Sequence, residues 1–380
     1  MRDWTDLMTD LRINLGSAEY PIRIGAGILE SEVASFCASK EYQSVLLVAD
    51  RLVYENYAIN LSRKLERQMD KTVVFLMDAG KVNKTLAQVI KIFGLLEDAN
   101  FSRDSLVLAL GGGVVGDLAG FVASCWYRGT PLVHIPTTVV GMIDSSIGGK
   151  TAINFRNSIN AIGSYHHPEA IFIDLDFVKS LPSREFFSGM AEIIKCAMIA
   201  ELDFFEFLQS EADAIKARDP AIFEQVMRRT IRIKEAHVLG DVREKGKRLF
   251  LNFGHTLGHA IEMASQNESE EALRHGEGVA LGMVSIIQIC QKYQNLEASV
   301  FKRLESILEL YELPTSFSAS SIGWSRSDLI KRCLDLVQKD KKRKKGSVRL
   351  VCLEKIGSPF VTSKASEEML LHGFSSIIAP

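Results

Sequence analysis

Two histidines four residues apart, His255 and His259, stand in the run LNFGHTLGHAIE at 251–262. On a helix, residues at that spacing project from one face, so both imidazoles could reach one metal ion. His275, in HGEGVALGM (275–283), offers another partner. Three protein ligands would leave one position of a zinc ion open, and a catalytic metal needs that opening to polarise a substrate oxygen. The alternative for any one of these residues alone is a hydrogen-bonded structural histidine.

A second stretch with chemical potential follows the apolar run LVLAL (106–110). It reads Gly111-Gly112-Gly113-Val114-Val115-Gly116-Asp117 and satisfies G-x-G-x-x-G. Glycines between a strand and a helix let backbone N–H groups approach a diphosphate at the helix N-terminus. The acidic residue that usually completes a dinucleotide fingerprint about 20 positions later is missing. Pro136, Thr137 and Thr138 occupy that region. A bare structural turn is the competing reading.

Both stretches need a frame. The first half alternates strand-like runs at 45–49, 73–77, 106–110, 132–136 and 171–175 with helical patterns. Alternation of that kind predicts a parallel sheet with crossover helices. In the helix expected over 84–99, Leu86, Val89, Ile90, Phe93 and Leu96 form the core-facing stripe. From LPSREFF onward the pattern is helical, with one strand-like run at 347–353. This predicts an α/β domain over 1–182 and a mainly α-helical domain over 183–380.

The composition narrows the class of function. A formal net charge of −2 over 380 residues gives no basic field for nucleic acid. No apolar run approaches the roughly 20 residues of a membrane span. The start MRDWTDLMTDLRINLG has no apolar signal core. The six cysteines are scattered, as expected of reduced residues in a cytoplasmic protein. The basic run Lys341–Lys345 reads first as a solvated turn.

Six segments in order, GGGVVGDLAGF (111–121), YRGTPLVHIPTT (127–138), DSSIGGKTAIN (144–154), GMAEIIK (189–195), LNFGHTLGHAIE and HGEGVALGM, resemble the motif series of 3-dehydroquinate synthases. The resemblance implies an N-terminal Rossmann-like NAD-binding domain, a helical metal- and substrate-binding domain, and a homodimer. It implies NAD and Zn2+ (or Co2+) as cofactors and a sugar-phosphate substrate. The implied reaction cyclises 3-deoxy-D-arabino-heptulosonate 7-phosphate to 3-dehydroquinate with loss of phosphate, in the shikimate pathway of aromatic amino acid biosynthesis.

Residue roles follow from the same resemblance. Glu192, His255 and His275 would hold the metal, while His259 would belong to the substrate pocket. Lys234 and Arg248 would clamp the substrate carboxylate; a guanidinium suits a carboxylate and ammonium groups act as point charges on phosphate. Lys150, Asn160, Asn252, His259 and Lys341 would surround the phosphate side, with Lys195 nearby and Arg128 reaching in from a second subunit. Lys342 is the adjacent alternative to Lys341. Asp144, Lys150, Lys195 and His259 are the expected catalytic groups. Asp50, Lys84, Gly112, Gly113, Asp117, Thr137, Thr138, Asp144, Phe177, Ser180 and Leu181 would line the cofactor.

Two positions depart from the family pattern. Lys81 stands where an acidic residue is usual, and a lysine cannot accept a hydrogen bond from a ribose hydroxyl. Lys81 therefore raises NADP as an alternative cofactor. Ile159 replaces a lysine just before Asn160. The alternatives in function are a sister cyclase of the valiolone or inosose type, a metal-dependent polyol dehydrogenase, and a non-catalytic sugar-phosphate-binding homologue.

Overall fold

The structure, a computed structural model, describes residues 8–40, 42–78, 80–156, 158–266, 272–343 and 348–380. The chain opens with an antiparallel pair, β1 (Met8–Asn14) and β2 (Glu19–Gly25). Then come β3 (Ser44–Asp50), β4 (Lys71–Met77), β5 (Leu106–Gly111), β6 (Leu132–Pro136), the hairpin β7 (Lys150–Phe155) with β8 (Ser158–Tyr165), and β9 (Ala170–Asp174). Helices α1 (Ser31–Ser39), α2 (Ile59–Gln68), α3 (Leu86–Asp98) and α4 (Gly113–Cys125) lie between these strands.

Seven strands form one sheet in the order β1-β2-β9-β6-β5-β3-β4, parallel except at β1. Strands β5, β6 and β9 are buried along their whole length, as strands covered on both faces must be. This is why their sequences are unbroken apolar runs. From β3 the chain steps outward to β4, then returns to β5 on the other side. The order therefore reverses between β3 and β5, and the carboxyl ends of strands flanking such a reversal are where open α/β sheets bind ligands.

The core stripe of α3 differs from the one its spacing suggests. Val89, Ile92 and Leu96 are buried, while Leu86 and Ile90 are 39% and 60% exposed. The helix is rotated so that an i, i+3, i+7 face meets the core, and the wider apolar stripe spills onto the surface.

Two compact units divide the chain. One comprises Met1–Leu181, Phe223–Met227 and Val238–Val242; the other comprises Pro182–Ile222, Arg228–His237 and Arg243–Pro380. The second is built on α5 (Ser183–Ala200), α6 (Leu202–Ser210), most of α7 (Pro220–Val238), α8 (His255–Ser265), α9 (His275–Gln294), α10 (Ala298–Leu310), α11 (Arg326–Arg343) and α12 (Glu367–Ile377). The strand-like run at 347–353 appears as Leu350–Lys355, paired with Ser358–Thr362. No helix among the described residues is long and apolar enough to cross a membrane.

Helices α8 and α9 pack through small residues. A Cβ on Gly282 would lie 1.8 Å from the Gly254 carbonyl oxygen, and one on Gly258 would lie 2.6 Å from that of Gly278. Only glycine permits this approach. It brings the first turns of the two helices, each beginning with a histidine, to one place.

Candidate metal centre and nucleotide loop

The second unit holds the histidines. Gly254 caps α8 in the left-handed region (φ 77°), where a side chain would be strained and would strike Met283. His255 is thus the first residue of its helix, and His275 is the first of α9. Glu192 comes from the middle of α5 and is fully buried. Its two carboxylate oxygens divide their contacts. Oε2 accepts a hydrogen bond from Lys195 Nζ at 2.6 Å. Oε1 lies 3.3 Å from His255 Nε2 and 3.2 Å from His275 Nε2, yet accepts no hydrogen bond there.

The tautomers explain that orphaned oxygen. His255 Nδ1 donates to the Phe253 carbonyl at 3.1 Å, and His275 Nδ1 donates to Glu262 Oε2 at 3.1 Å. A carbonyl can only accept, so Nδ1 carries the hydrogen and the lone pair of a neutral ring sits on Nε2. Lone-pair atoms then face one another around Glu192 Oε1, and a proton or a metal ion must lie among them. Tetrahedral zinc with bonds of about 2.0–2.2 Å requires ligand-to-ligand separations of about 3.3–3.5 Å. The contacts of 3.2 and 3.3 Å match that edge closely. The residues fit a metal ion.

The charges agree with this geometry. Burial pushes the Glu192 carboxyl up, but Lys195, His255 and His275 outweigh it and hold it well below the usual carboxylate range. Burial opposes charge on His275 as well, yet Glu192 and Glu262 raise it to about 10. The surrounding protein and the two neighbouring imidazoles drive His259 the other way, toward its neutral form. Potential ligand atoms of His255, His259 and His275 lie within 4.8 Å of one another, a looser set than the one around Glu192. The His255 and His259 rings cross at 5.1 Å.

The cations of this unit are deeply placed. Lys195, Lys234 and Arg248 are 1%, 5% and 3% exposed, a costly arrangement for charges unless each meets a counter-charge or an anionic ligand. Asn252 donates from Nδ2 to Glu244 Oε1, with Glu244 in the left-handed region. Lys341 lies in the last turn of α11, and its side chain is outside the described residues, as is that of Lys342.

In the first unit, β5 ends at Gly111 and α4 starts at Gly113, as the glycine pattern requires. Thr137 N donates to the Gly111 carbonyl at 3.0 Å and Gly141 N to Thr138 Oγ1 at 3.1 Å, so both threonines sit against the glycine loop. A Cβ on Gly113 would lie 3.0 Å from Ser145 Oγ, which places the turn carrying Asp144 there too. Buried Lys84 pairs with Asp117 on α4 and donates to Asn160 Oδ1 at 2.5 Å. A small cavity under the loop is lined by Gly111, Gly112, Gly116, His134, Gly141 and Ser145 among others. A diphosphate would meet the free N–H groups of the first turn of α4.

Asp50, at the end of β3, accepts from Leu52 N and Val53 N and so caps a helical turn. Phe177 is buried edge-on against Tyr57, Ser180 Oγ donates to the Phe177 carbonyl, and so does Leu181 N. Arg128 and Lys150 are exposed, Arg128 with a positive φ of 68°. Lys81 is exposed and its carbonyl accepts from Asn154 Nδ2; Ile159 is 41% exposed on the β7–β8 hairpin.

Two carboxylates were absent from the candidate set. Glu262 stands seven residues after His255, two helical turns along the same face, so helical spacing alone could have found it. Glu244 lies in an irregular charged loop, and no periodicity marks it.

Comparison with known proteins agrees with this architecture. The family model described as 3-dehydroquinate synthase N-terminal matches residues 74–188, and the C-terminal model matches 189–343. A 3-dehydroquinate synthase of Idiomarina loihiensis is 38% identical over 94% of this chain and 96% of its own length. Among solved structures, 2-epi-5-epi-valiolone synthase from Streptomyces hygroscopicus with NAD+ and Zn2+ bound is 25% identical with a TM-score of 0.83, covering 95% of this chain and 97% of its own. A 2-deoxy-scyllo-inosose synthase complexed with carbaglucose-6-phosphate, NAD+ and Co2+ shares the fold at 23% identity and a TM-score of 0.85, covering 96% and 99%. Matched over both family models and nearly its whole length, the chain belongs to the 3-dehydroquinate synthase family.

Proposed function

We propose that this protein is a 3-dehydroquinate synthase that converts 3-deoxy-D-arabino-heptulosonate 7-phosphate into 3-dehydroquinate and phosphate. The observation that carries the reading is the donor set of buried Glu192 with half-buried His255 and His275, in the same unit as the buried cations Lys195, Lys234 and Arg248. A substrate with a carboxylate and a phosphate would bring negative charge to this unit, which a polyol would not. When bound, a zinc or cobalt ion would polarise a substrate hydroxyl, and NAD would accept and return a hydride, so no net NADH forms.

The chain's own residues have separate tasks in this reading. Glu192, His255 and His275 hold the metal; Lys195 neutralises the second oxygen of Glu192 and remains near the substrate. Lys234 and Arg248 bind the carboxylate. Asn252, held by Glu244, and His259 would serve the substrate phosphate, a role that the family resemblance also gives to Lys150, Asn160 and Lys341. His259, kept neutral, can both donate and accept a proton. Gly112, Gly113, Thr137, Thr138, Asp144, Lys84 and Asp117 cradle NAD, with Asp50, Phe177, Ser180 and Leu181 on its margin. The domain division we assign is NAD on 1–182 and metal on 183–380.

A homodimer completes the proposal, with Arg128 serving the partner's site. Tyr127 beside it, and Phe155, Ile159 and Tyr165 on the β7–β8 hairpin, expose between 41% and 53% of their surface, apolar area that a second copy would cover. The free cysteines, of which only Cys125 is exposed, suit the cytoplasm. The test of substrate class is turnover of the heptulosonate phosphate against a heptulose phosphate lacking the carboxylate. The carboxylated substrate should react at least about 100-fold faster, the scale on which a missing charged contact is felt. Equal rates would contradict the assignment of Lys234 and Arg248.

A further inference from the structure

The two imidazoles at the metal centre are backed by different acceptors. His255 donates from Nδ1 to a neutral backbone carbonyl, that of Phe253, whereas His275 donates to the carboxylate of Glu262. Glu262 is only 2% exposed and lies beside α9: a Cβ added to Gly278 would stand 3.1 Å from Glu262 Cβ. Helix α8 therefore presents a metal ligand, His255, and the acceptor for a ligand on another helix, His275, from positions two turns apart.

We propose that Glu262 is a positioning residue of the metal centre, one that fixes the tautomer and ring angle of His275 and strengthens it as a ligand. The proposal rests on the metal reading above. A carboxylate draws the Nδ1 proton more strongly than an amide carbonyl does, which leaves more electron density at Nε2. It also fixes the ring so that Nε2 faces Glu192 Oε1. A carboxylate is an expensive way to fill a helix contact, because burying charge costs far more than burying an apolar residue of the same size. Its placement against a ligand imidazole gives that cost a purpose. The metal's immediate surroundings would then carry two carboxylates, Glu192 in contact and Glu262 one imidazole away, offset in part by Lys195.

The experiment is zinc affinity of the full chain, measured by competition with a chromophoric chelator, for wild type, Glu262→Gln, Glu262→Asp and Glu192→Gln. Cobalt(II) absorption of the same proteins and their metal-free unfolding midpoints complete the set. Glu262→Gln keeps the size and an acceptor oxygen but removes the charge. It should weaken zinc binding about 10- to 100-fold and move the cobalt bands, with the metal-free midpoint close to wild type. Glu262→Asp, which keeps the charge, should recover part of the affinity. Wild-type zinc affinity and an unshifted cobalt spectrum in Glu262→Gln, while Glu192→Gln loses zinc, would overturn the role of Glu262 and leave the metal site standing. Equal losses in Glu262→Gln and Glu262→Asp would also overturn it, since packing rather than charge would then be the cause. A wild-type chain that binds no zinc would remove the metal reading itself and this proposal with it.

Discussion

Gly276 lies so close to Ser188 that a Cβ at position 276 would sit 1.7 Å from the Ser188 carbonyl oxygen. The same glycine donates its N–H to Ser188 Oγ at 3.0 Å. This contact fixes the start of α9, and so His275, against α5, one turn before Glu192. Two helices far apart in sequence are set to a metal-ligand separation by the absence of a single methyl group.

Gly276→Ala should therefore act on the metal centre. Relief of the clash requires the two helices to part, and overpacking of this kind costs about 1–3 kcal/mol or more. Urea unfolding should show that loss, and chelator competition should show zinc affinity falling with it. Unchanged zinc affinity would mean that the helix contact does not set the site.

His259→Gln should separate the two histidines of the HTLGH run. Zinc affinity should stay within a few-fold of wild type while phosphate release falls by about 10²- to 10⁴-fold, the usual scale for losing a proton-relay group. Loss of zinc in this variant would make His259 a ligand instead.

Lys84→Met should weaken the nucleotide loop. It breaks a largely buried pair with Asp117 and the hydrogen bond to Asn160. A stability loss of about 2 kcal/mol, the scale of a hydrogen bond to a charged group, should appear on urea unfolding. NAD titration should show a raised dissociation constant, and an unchanged one would remove Lys84 from the cofactor site.

His134 gives a pH signature to the first unit. Burial, and then the neighbouring His166, push its pKa from 6.5 down to about 4. The unfolded chain binds the proton more readily, so His134 contributes stability in full above about pH 6.5 and loses it as pH falls toward 4. At pH 5 the loss is about 2 kcal/mol. His134→Gln should flatten the pH dependence of the unfolding free energy between pH 7 and 5 by that amount. Parallel curves for the two proteins would contradict it.

Much of this was legible in the sequence because backbone demands leave marks. Buried parallel strands must be apolar throughout, and β3, β5, β6 and β9 appear within a residue or two of the expected runs. The glycine loop and the two histidine helices were readable for the same reason. The β1–β2 pair and the β7–β8 hairpin were missed. Their residues alternate or face outward, as in the largely exposed β8, and carry no continuous apolar signal. Glu244 depends on a partner 8 residues away in an irregular loop that no periodicity marks, whereas Glu262 stood at helical spacing from His255 and only its partner 13 residues on was hidden. In α3 the stripe was visible but its rotation was set by what it packs against.

One stoichiometry decides whether this chain cyclises a heptulosonate phosphate with a metal and NAD. Full-length protein stripped with a chelator is incubated with 3-deoxy-D-arabino-heptulosonate 7-phosphate and NAD, before and after zinc is restored, while phosphate, 3-dehydroquinate and NADH are followed together. Before zinc there should be neither product. After zinc, phosphate and 3-dehydroquinate should appear in equal amounts, without accumulation of NADH. Steady NADH formation without phosphate release, or phosphate release by the stripped protein at the full rate, would contradict the account.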